Sequence, residues 1–437
     1  MKTRKRWLVT VFATVASLCS YGSEPLKIRL QQLYDIAESN NASIQSFNTA
    51  ITEAREGVDV AKAARSPTIE TSVSVSYLGN VQIWDRPFKN KITATTPHFG
   101  NNFALMARQT VYSGGAITSG IRLAKLNQKL AEVEAQENRQ RVRFLLTGHY
   151  LQLHSLHHQE TVFDQNIALA DTLICQTRHR MEQGVALEND ITRHELQREN
   201  LLLGRARVQD AQRIISHQLA TALGLDTAIT ILPDDDFMTA LCPQESEMEW
   251  QQTAALNHTG LQKADIGTRM AKQKVQLQRA ELLPKVALVA EDHFNGPVTF
   301  EIPTLDKNIN YWYVGVGVTY NLSSLWKNNK SLRQARTAVH HSQQQQREAA
   351  EGVENAVQAA YTNYLTAFTE LGTQQKSVEL AAQNYRIIQN RYENGLALIT
   401  DMVDAANVKL DAELALVSAR INVIYNYYQL KYISNTL

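Results

Sequence analysis

Asp401 and Asp404 stand three residues apart in "LALITDMVDAANVKL", so a helix through them puts both carboxylates on one face. Repeated around a symmetric assembly, that face would line a pore with acids and draw cations. The ordinary alternative is that both acids sit in the first turn of a helix, where capping and the helix dipole favour them. A second cluster is "HYLQLHSLHH", with His154, His157 and His158 at i, i+3 and i+4. Two histidines one turn apart can hold a transition metal. The segment brings no nearby carboxylate or cysteine, however, and a packed or solvated polar face suits it better. Tyr425, Tyr427, Tyr428 and Tyr432 read as packing between helices. The sequence carries no Gly-rich phosphate loop, no nucleophile elbow and no closed Cys–His zinc spacing. The expectation is a non-enzyme without cofactor or bound metal, in which energy for any transport comes from a partner.

The elements that must position these residues are duplicated. "RYENGLALITDMVDAANVKL" (391–410) has an earlier variant in "RMEQGVALENDITRHELQRE" (180–199). Arg180, Gly184, Ala186, Leu187 and Asp190 recur as Arg391, Gly395, Ala397, Leu398 and Asp401, each 211 residues on. Tyr150 and Tyr361 share that offset. Earlier in each half the offset is 217, as for Pro67 and Pro284. The six-residue difference falls between Pro67 and Arg122, which predicts loops of unequal length there. Residues 26–65 and 250–282 read as helices stopped by those prolines. The stretches 116–183 and 327–394 lack proline and are rich in helix formers. At about 1.5 Å per residue each makes a helix of about 100 Å. Neither keeps a clean heptad, so a simple coiled coil is not expected. Arg180 and Arg391 then fall in last helical turns, where a cation suits the dipole. Gly184 and Gly395 supply the left-handed residue that ends each helix, and Asn189 or Asp190, and Thr400 or Asp401, cap the next. Each copy is thus the tip of a long helical hairpin, and the two tips stand side by side. The organisation predicted is a signal peptide over 1–22, a first repeat over 23–225, an irregular linker over 226–249 and a second repeat over 250–437.

Between the helices the pattern switches to period two. In "TIETSVSVSY" (68–77) Ile69, Val73, Val75 and Tyr77 alternate with Glu70, Ser72, Ser74 and Ser76. In "YWYVGVGVTY" (311–320) Trp312, Val314, Val316, Val318 and Tyr320 form one face, with an aromatic at each end. Residues 102–112 and 285–294 are weaker versions. Strands of about ten residues with one apolar and one polar face, edged by aromatics, suit a membrane barrel with lipid outside and water inside. The alternative is a small soluble sheet with one buried face. Four strands cannot close a barrel, and lipid does not tolerate open edges. Three chains would supply twelve strands, and two similar hairpins per chain would make a nearly six-fold ring of tips.

Composition agrees with an envelope protein. The chain has 437 residues and a formal charge of +1, which excludes the basic excess of a nucleic-acid footprint. Lys2, Arg4, Lys5 and Arg6 precede an apolar run from Trp7 to about Cys19, the layout of a secretory signal. Its removal near Gly22 would leave a mature charge of −3. Leu18 is bulky for a residue preceding an acylated cysteine, so Cys19 is not expected to carry lipid. Cys175 and Cys242 lie in different elements, which argues against a disulfide framework.

With "YENGLALITDMVDA" (392–405), "VYSGG" (111–115) and "LATALGL" (219–225), the chain resembles the outer membrane efflux protein family, the TolC-like channel-tunnels, over about residues 26 to 437. The resemblance implies a mainly α fold of long antiparallel hairpins forming an α-barrel, plus four strands per chain, with a homotrimer closing a 12-stranded transmembrane β-barrel. It implies residence in the outer membrane with a helical tunnel in the periplasm, and contact with outer-membrane lipid. It also implies a passive exit duct for drugs, metals or proteins, as in tripartite efflux or type I secretion. The partners implied are a periplasmic adaptor and an inner-membrane transporter of RND or ABC type, with no nucleic acid. Asp401 and Asp404 match an acidic ring at the narrow end, and Tyr392 and Asp190 match gate residues that bond between hairpins. The arginine expected at that gate is replaced by Ala397, so one link is missing or remade. Arg180, Gly184, Val185, Arg391, Gly395 and Leu396 are the exposed ends where an adaptor would touch. The rival from another class is a pore-free periplasmic coiled-coil scaffold, which needs neither alternating strands nor duplicated tips.

Overall fold

A computed structural model describes residues 26–234, 245–299 and 304–437. The signal segment, Cys19 and Cys242 lie outside the described residues, as does part of the 226–249 linker. The duplication is visible in the element list. Helices α1 (Leu30–Asn40) and α2 (Ala42–Ala63) recur as α5 (Glu247–Asn257) and α6 (Thr259–Ala280) with the same lengths, 217 residues on. Strands β2 (Thr68–Tyr77) and β5 (Phe99–Tyr112) answer to β7 (Lys285–Gly296) and β8 (Ile309–Thr319). The long helix α3 (Ala116–Glu182) and its partner α4 (Glu188–Leu223) answer to α7 (Ser324–Glu393) and α8 (Ile399–Ile433). The unequal loop holds a short hairpin in the first copy, β3 (Val81–Ile83) and β4 (Ile92–Ala94), where the described part of the second copy's loop has a single bridge, Val298–Leu305.

Two expectations need correction. Residues 26–65 and 250–282 are not single helices. Asn41 takes an extended conformation, and its side-chain Oδ1 accepts hydrogen bonds from the backbone N–H of Ser43 and Ile44. It stops α1 and caps α2 in one residue. His258 does the same in the second copy, accepting from Gly260 N–H at 3.0 Å. The linker is not wholly irregular either. β6 (Ile231–Pro233) pairs in parallel with β1 (Leu26–Ile28). The Tyr150 hydroxyl ties both strands to α3, donating to Ile28 C=O at 3.1 Å and accepting from Asp234 N–H at 2.9 Å.

The chain divides into two compact units. The first comprises the residues up to Thr49, Glu134–Leu261 and Ala349–Leu437. Its core is built twice. Leu33, Ala37, Leu146 and Leu219 are buried between α1, α3 and α4. Trp250, Ala254, Val357 and Leu430 hold the matching places between α5, α7 and α8. Full burial of each large apolar side chain stabilises by about 1.5–3 kcal/mol. The tyrosine-rich C-terminal turn packs here. Tyr427 meets Trp250 and Tyr364, and Tyr425 and Tyr432 meet Phe144. His154 is buried and leans on His158 at 4.6 Å between ring centres.

The second unit comprises Ala50–Val133 and Gln262–Glu348. It holds the four-stranded antiparallel sheet β2-β5-β7-β8. Pairing runs without a break along β2 and β5, so the alternation survives across the sheet. Residues directly opposite share a face. Through Val73–Phe103–Phe294 and Ala290–Val314 the apolar face is continuous, and through Glu70–Met106–Glu291–Tyr313 the second face is mainly polar. Gly114, at φ +63°, turns the chain from β5 into α3. A Cβ there would come within 2.7 Å of the Ala280 carbonyl oxygen, so only glycine fits.

Candidate functional site

The sheet presents the first functional feature. Trp312, Val314, Val316 and Val318 are 72, 70, 66 and 66% exposed, and Ile69, Val73, Val75 and Tyr77 are similarly open. A soluble sheet would bury this face; here it meets no core. Contiguous apolar surface of this kind marks a lipid or protein contact. β2 and β8 are the outer strands, each paired on one side only. Their outer backbone groups need partners if the sheet lies in hydrocarbon. No helix among the described residues is long and apolar enough to cross a membrane.

The hairpin tips, within the first unit, are the second feature. α3 and α7 both end on a left-handed glycine, Gly184 at φ +77° and Gly395 at φ +73°. In each, the next residue's N–H reaches back five residues, Val185 to Arg180 C=O and Leu396 to Arg391 C=O, the closure expected of a glycine stop. The following helices start at Glu188 and Ile399 with Leu187 and Leu398 at the cap positions. Asp190 and Asp401 are therefore not cap residues but stand at the third helical position. Each carboxylate accepts a hydrogen bond from the cap N–H at 3.1 Å. Asn189 and Thr400 lie inside the helices. Asp404 is exposed one turn beyond Asp401.

The two tips pack on each other. Leu173 of α3, Tyr385 and Tyr392 of α7, and Met402, Ala405 and Ala406 of α8 form one buried cluster, with Ala397 and Ile399 against it. Burial pushes the Tyr385 phenol up to about 12, with Glu393 adding to the shift. Burial raises Tyr392 also, and its hydroxyl is hydrogen-bonded to Thr177 of the other hairpin. Within one chain the Tyr392 hydroxyl is bonded to Thr177, and Asp190, which accepts from Leu187 N–H, acts on it only through its charge. An arginine does join the two hairpins, from another position. Arg180 lies over the Tyr392 ring at 5.1 Å and donates to its carbonyl oxygen at 3.1 Å. This cation–π contact and charge-assisted bond join hairpin to hairpin. Of the remaining tip residues, Val185, Leu187, Leu396 and Leu398 are each more than 60% exposed. Gly184 and Gly395 face open space.

His194, which the sequence reading passed over, completes the tip. It is fully buried, edge-on to Tyr392 at 6.1 Å. Gln197, one turn along the same helix, is its side-chain hydrogen-bond partner. The charged group that acts on it is Asp190 on its own helix, while Arg180 lies over the Tyr392 ring that His194 meets edge-on. Burial, opposed by Asp190 and by the hydrogen bond with Gln197, holds the imidazole below its ordinary 6.5. A loosened tip binds the proton more readily than the packed one, so packing contributes stability above pH 6.5 that is lost as pH falls. The thermal midpoint of the solubilised protein is expected to drop between neutral pH and about pH 5. His194→Phe should flatten that part of the profile; an unaltered slope would remove His194 from it.

Against known proteins, the chain matches the family model described as outer membrane efflux protein over residues 33–225 and 250–436, both repeats. It is 19% identical over 396 residues to the outer membrane efflux protein BepC of Brucella suis biovar 1 (strain 1330), covering 90% of this chain and 82% of that one. The fold is similar to that of the outer membrane protein VceC of Vibrio cholerae, with a TM-score of 0.75 at 16% identity over 93% of this chain and 96% of that one. It is also similar to the MtrE outer membrane channel of Neisseria gonorrhoeae, solved in its open state, with a TM-score of 0.71 at 16% identity over 93% and 89%. An uncovered apolar sheet, a duplicated pair of tips and a family match across both halves converge: the chain belongs to the outer membrane efflux protein family.

Proposed function

We propose that three copies of this chain close one twelve-stranded barrel in the outer membrane and form the exit duct of a tripartite efflux or type I secretion system. The observation that carries this reading is the four-stranded sheet with an exposed apolar face and one unpaired side on each outer strand. A scaffold without a pore gains nothing from such a face. Transport through the duct is passive, and energy comes from an inner-membrane transporter of RND or ABC type that reaches the duct through a periplasmic adaptor. The exposed Val185, Leu187, Leu396 and Leu398 at the tips support an apolar contact with that adaptor, with Gly184 and Gly395 letting it approach closely. Arg180 is better placed as a brace between hairpins than as an adaptor contact.

Small molecules, metals or proteins are the cargo classes of such a duct. Asp401 and Asp404 serve as its cation-attracting ring: both are exposed and share a helix face. Asp401 has a structural task as well, since it accepts from Leu398 N–H. The test is single-channel recording in planar bilayers. Asp404→Ala, with Asp401→Asn to spare the helix start, should weaken block by multivalent cations about tenfold or more. Block that stays the same would take the acidic ring out of the reading.

A further inference from the structure

The β3–β4 hairpin forms its own two-stranded sheet, where the matching loop of the second copy shows a single antiparallel bridge, Val298–Leu305, among the described residues. It is inserted where β2 ends and β5 begins, at the strand ends away from the connections to α2 and α3. At that end the apolar face finishes in the paired Tyr77 and Phe99, which are 80 and 66% exposed. The hairpin follows at once. Leu78 N–H bonds to His98 C=O, and the His98 ring stacks on Tyr77 at 5.0 Å.

Its turn, "WDRPFKNK", holds its shape at a cost. Phe88 and Asn90 are left-handed, at φ +59° and +53°. An asparagine tolerates this; a phenylalanine rarely does. Asp85 enforces it. Asp85 C=O accepts from Phe88 N–H at 2.8 Å, its N–H donates to Lys89 C=O at 3.0 Å, and its carboxylate accepts from the Asn90 amide at 2.7 Å. The strained residue gains nothing inside the chain, for Phe88 is 82% exposed. Trp84 is half exposed with Lys91 over its ring at 5.5 Å. Arg86, Lys89 and Lys91 against Asp85 leave the turn with a net charge of +2. Strain held for an unburied ring points to a contact outside the chain. Two exposed rings among three cations suit the boundary between acyl chains and phosphate headgroups, where aromatic side chains settle and Lys and Arg meet phosphate.

We propose that this hairpin anchors the channel to anionic lipid of the surrounding leaflet, with Trp84 and Phe88 entering the boundary and Arg86, Lys89 and Lys91 holding headgroup phosphates. The inference rests on the outer-membrane reading, because the hairpin starts at the level where the lipid-facing surface stops. The occupant is the phosphate-bearing bilayer itself, on grounds of charge and of continuity with the apolar face. The experiment titrates phosphatidylglycerol, and in parallel phosphatidylcholine, into the assembled full-length channel in detergent and counts bound lipid by native mass spectrometry. Conductance of the same preparations is recorded in planar bilayers. With R86Q/K89Q/K91Q, one class of phosphatidylglycerol binding should weaken about fivefold for each cation removed, while phosphatidylcholine binding and conductance stay unchanged. F88S should weaken both lipids alike. A conducting channel whose phosphatidylglycerol binding is the same in wild type and variants overturns the anchor alone. Unchanged lipid binding with raised conductance also overturns it, placing the hairpin over the pore mouth. A chain that does not conduct removes the channel reading, and the anchor with it.

Discussion

Val316→Arg is expected to abolish assembly in the outer membrane, whereas Ser74→Arg is expected to leave it intact. Both positions are exposed in the single chain, so exposure does not separate them. The register does. Val316 pairs with Leu288 on the face that also carries Val73 and Phe103, and Ser74 pairs with Asn102 on the opposite, mainly polar face. An arginine at the middle of a lipid-facing strand costs about 2–4 kcal/mol. Each chain of a trimer carries that cost, a large fraction of the stability margin of a folded domain, about 5–15 kcal/mol. An arginine facing water in the lumen carries no such penalty and changes ion selectivity instead. The check is the fraction of each variant recovered as assembled channel from outer-membrane extracts. Equal recovery of the two would mean that the faces are assigned wrongly.

Tyr392→Ala is expected to loosen the tips. Tyr392 is buried where four helices meet, hydrogen-bonded to Thr177, stacked by Arg180 and edge-on to His194. Truncating a buried aromatic costs about 3–5 kcal/mol, which would move a local packed–loosened equilibrium by at least about a hundredfold. Arg180→Ala should act in the same direction and more weakly, because Arg180 is only half-buried. The two effects should fall short of additive, since the groups touch. Larger or more frequent conductance steps in planar bilayers would report the loosening. Wild-type conductance from Tyr392→Ala would show that this contact does not restrain the tips.

The parts legible in the sequence were those with a period or a duplicated signal. Alternation over ten residues located β2, and eight residues between Trp312 and Tyr320 located β8. Two glycines at one offset located both tips. Short features escaped. β1 and β6 have three residues each, too few for a pattern. The breaks at Asn41 and His258 hang on one side chain apiece, inside stretches otherwise rich in helix formers. The Arg180–Tyr392 link escaped for another reason. It joins residues 212 apart, and only the packing of one hairpin on the other brings them together. "ITRHELQ" gives no sign that His194 is buried, because polar residues flank it on both sides. The left-handed Phe88 was beyond reach too, since its turn depends on three hydrogen bonds to Asp85.

Closure of the sheet by sibling chains is tested most directly by weighing the conducting particle. Mass measurement of the detergent-solubilised channel, on the preparation that conducts in planar bilayers, should return three mature chains per particle. A particle of one chain that still conducts would contradict a wall shared between copies.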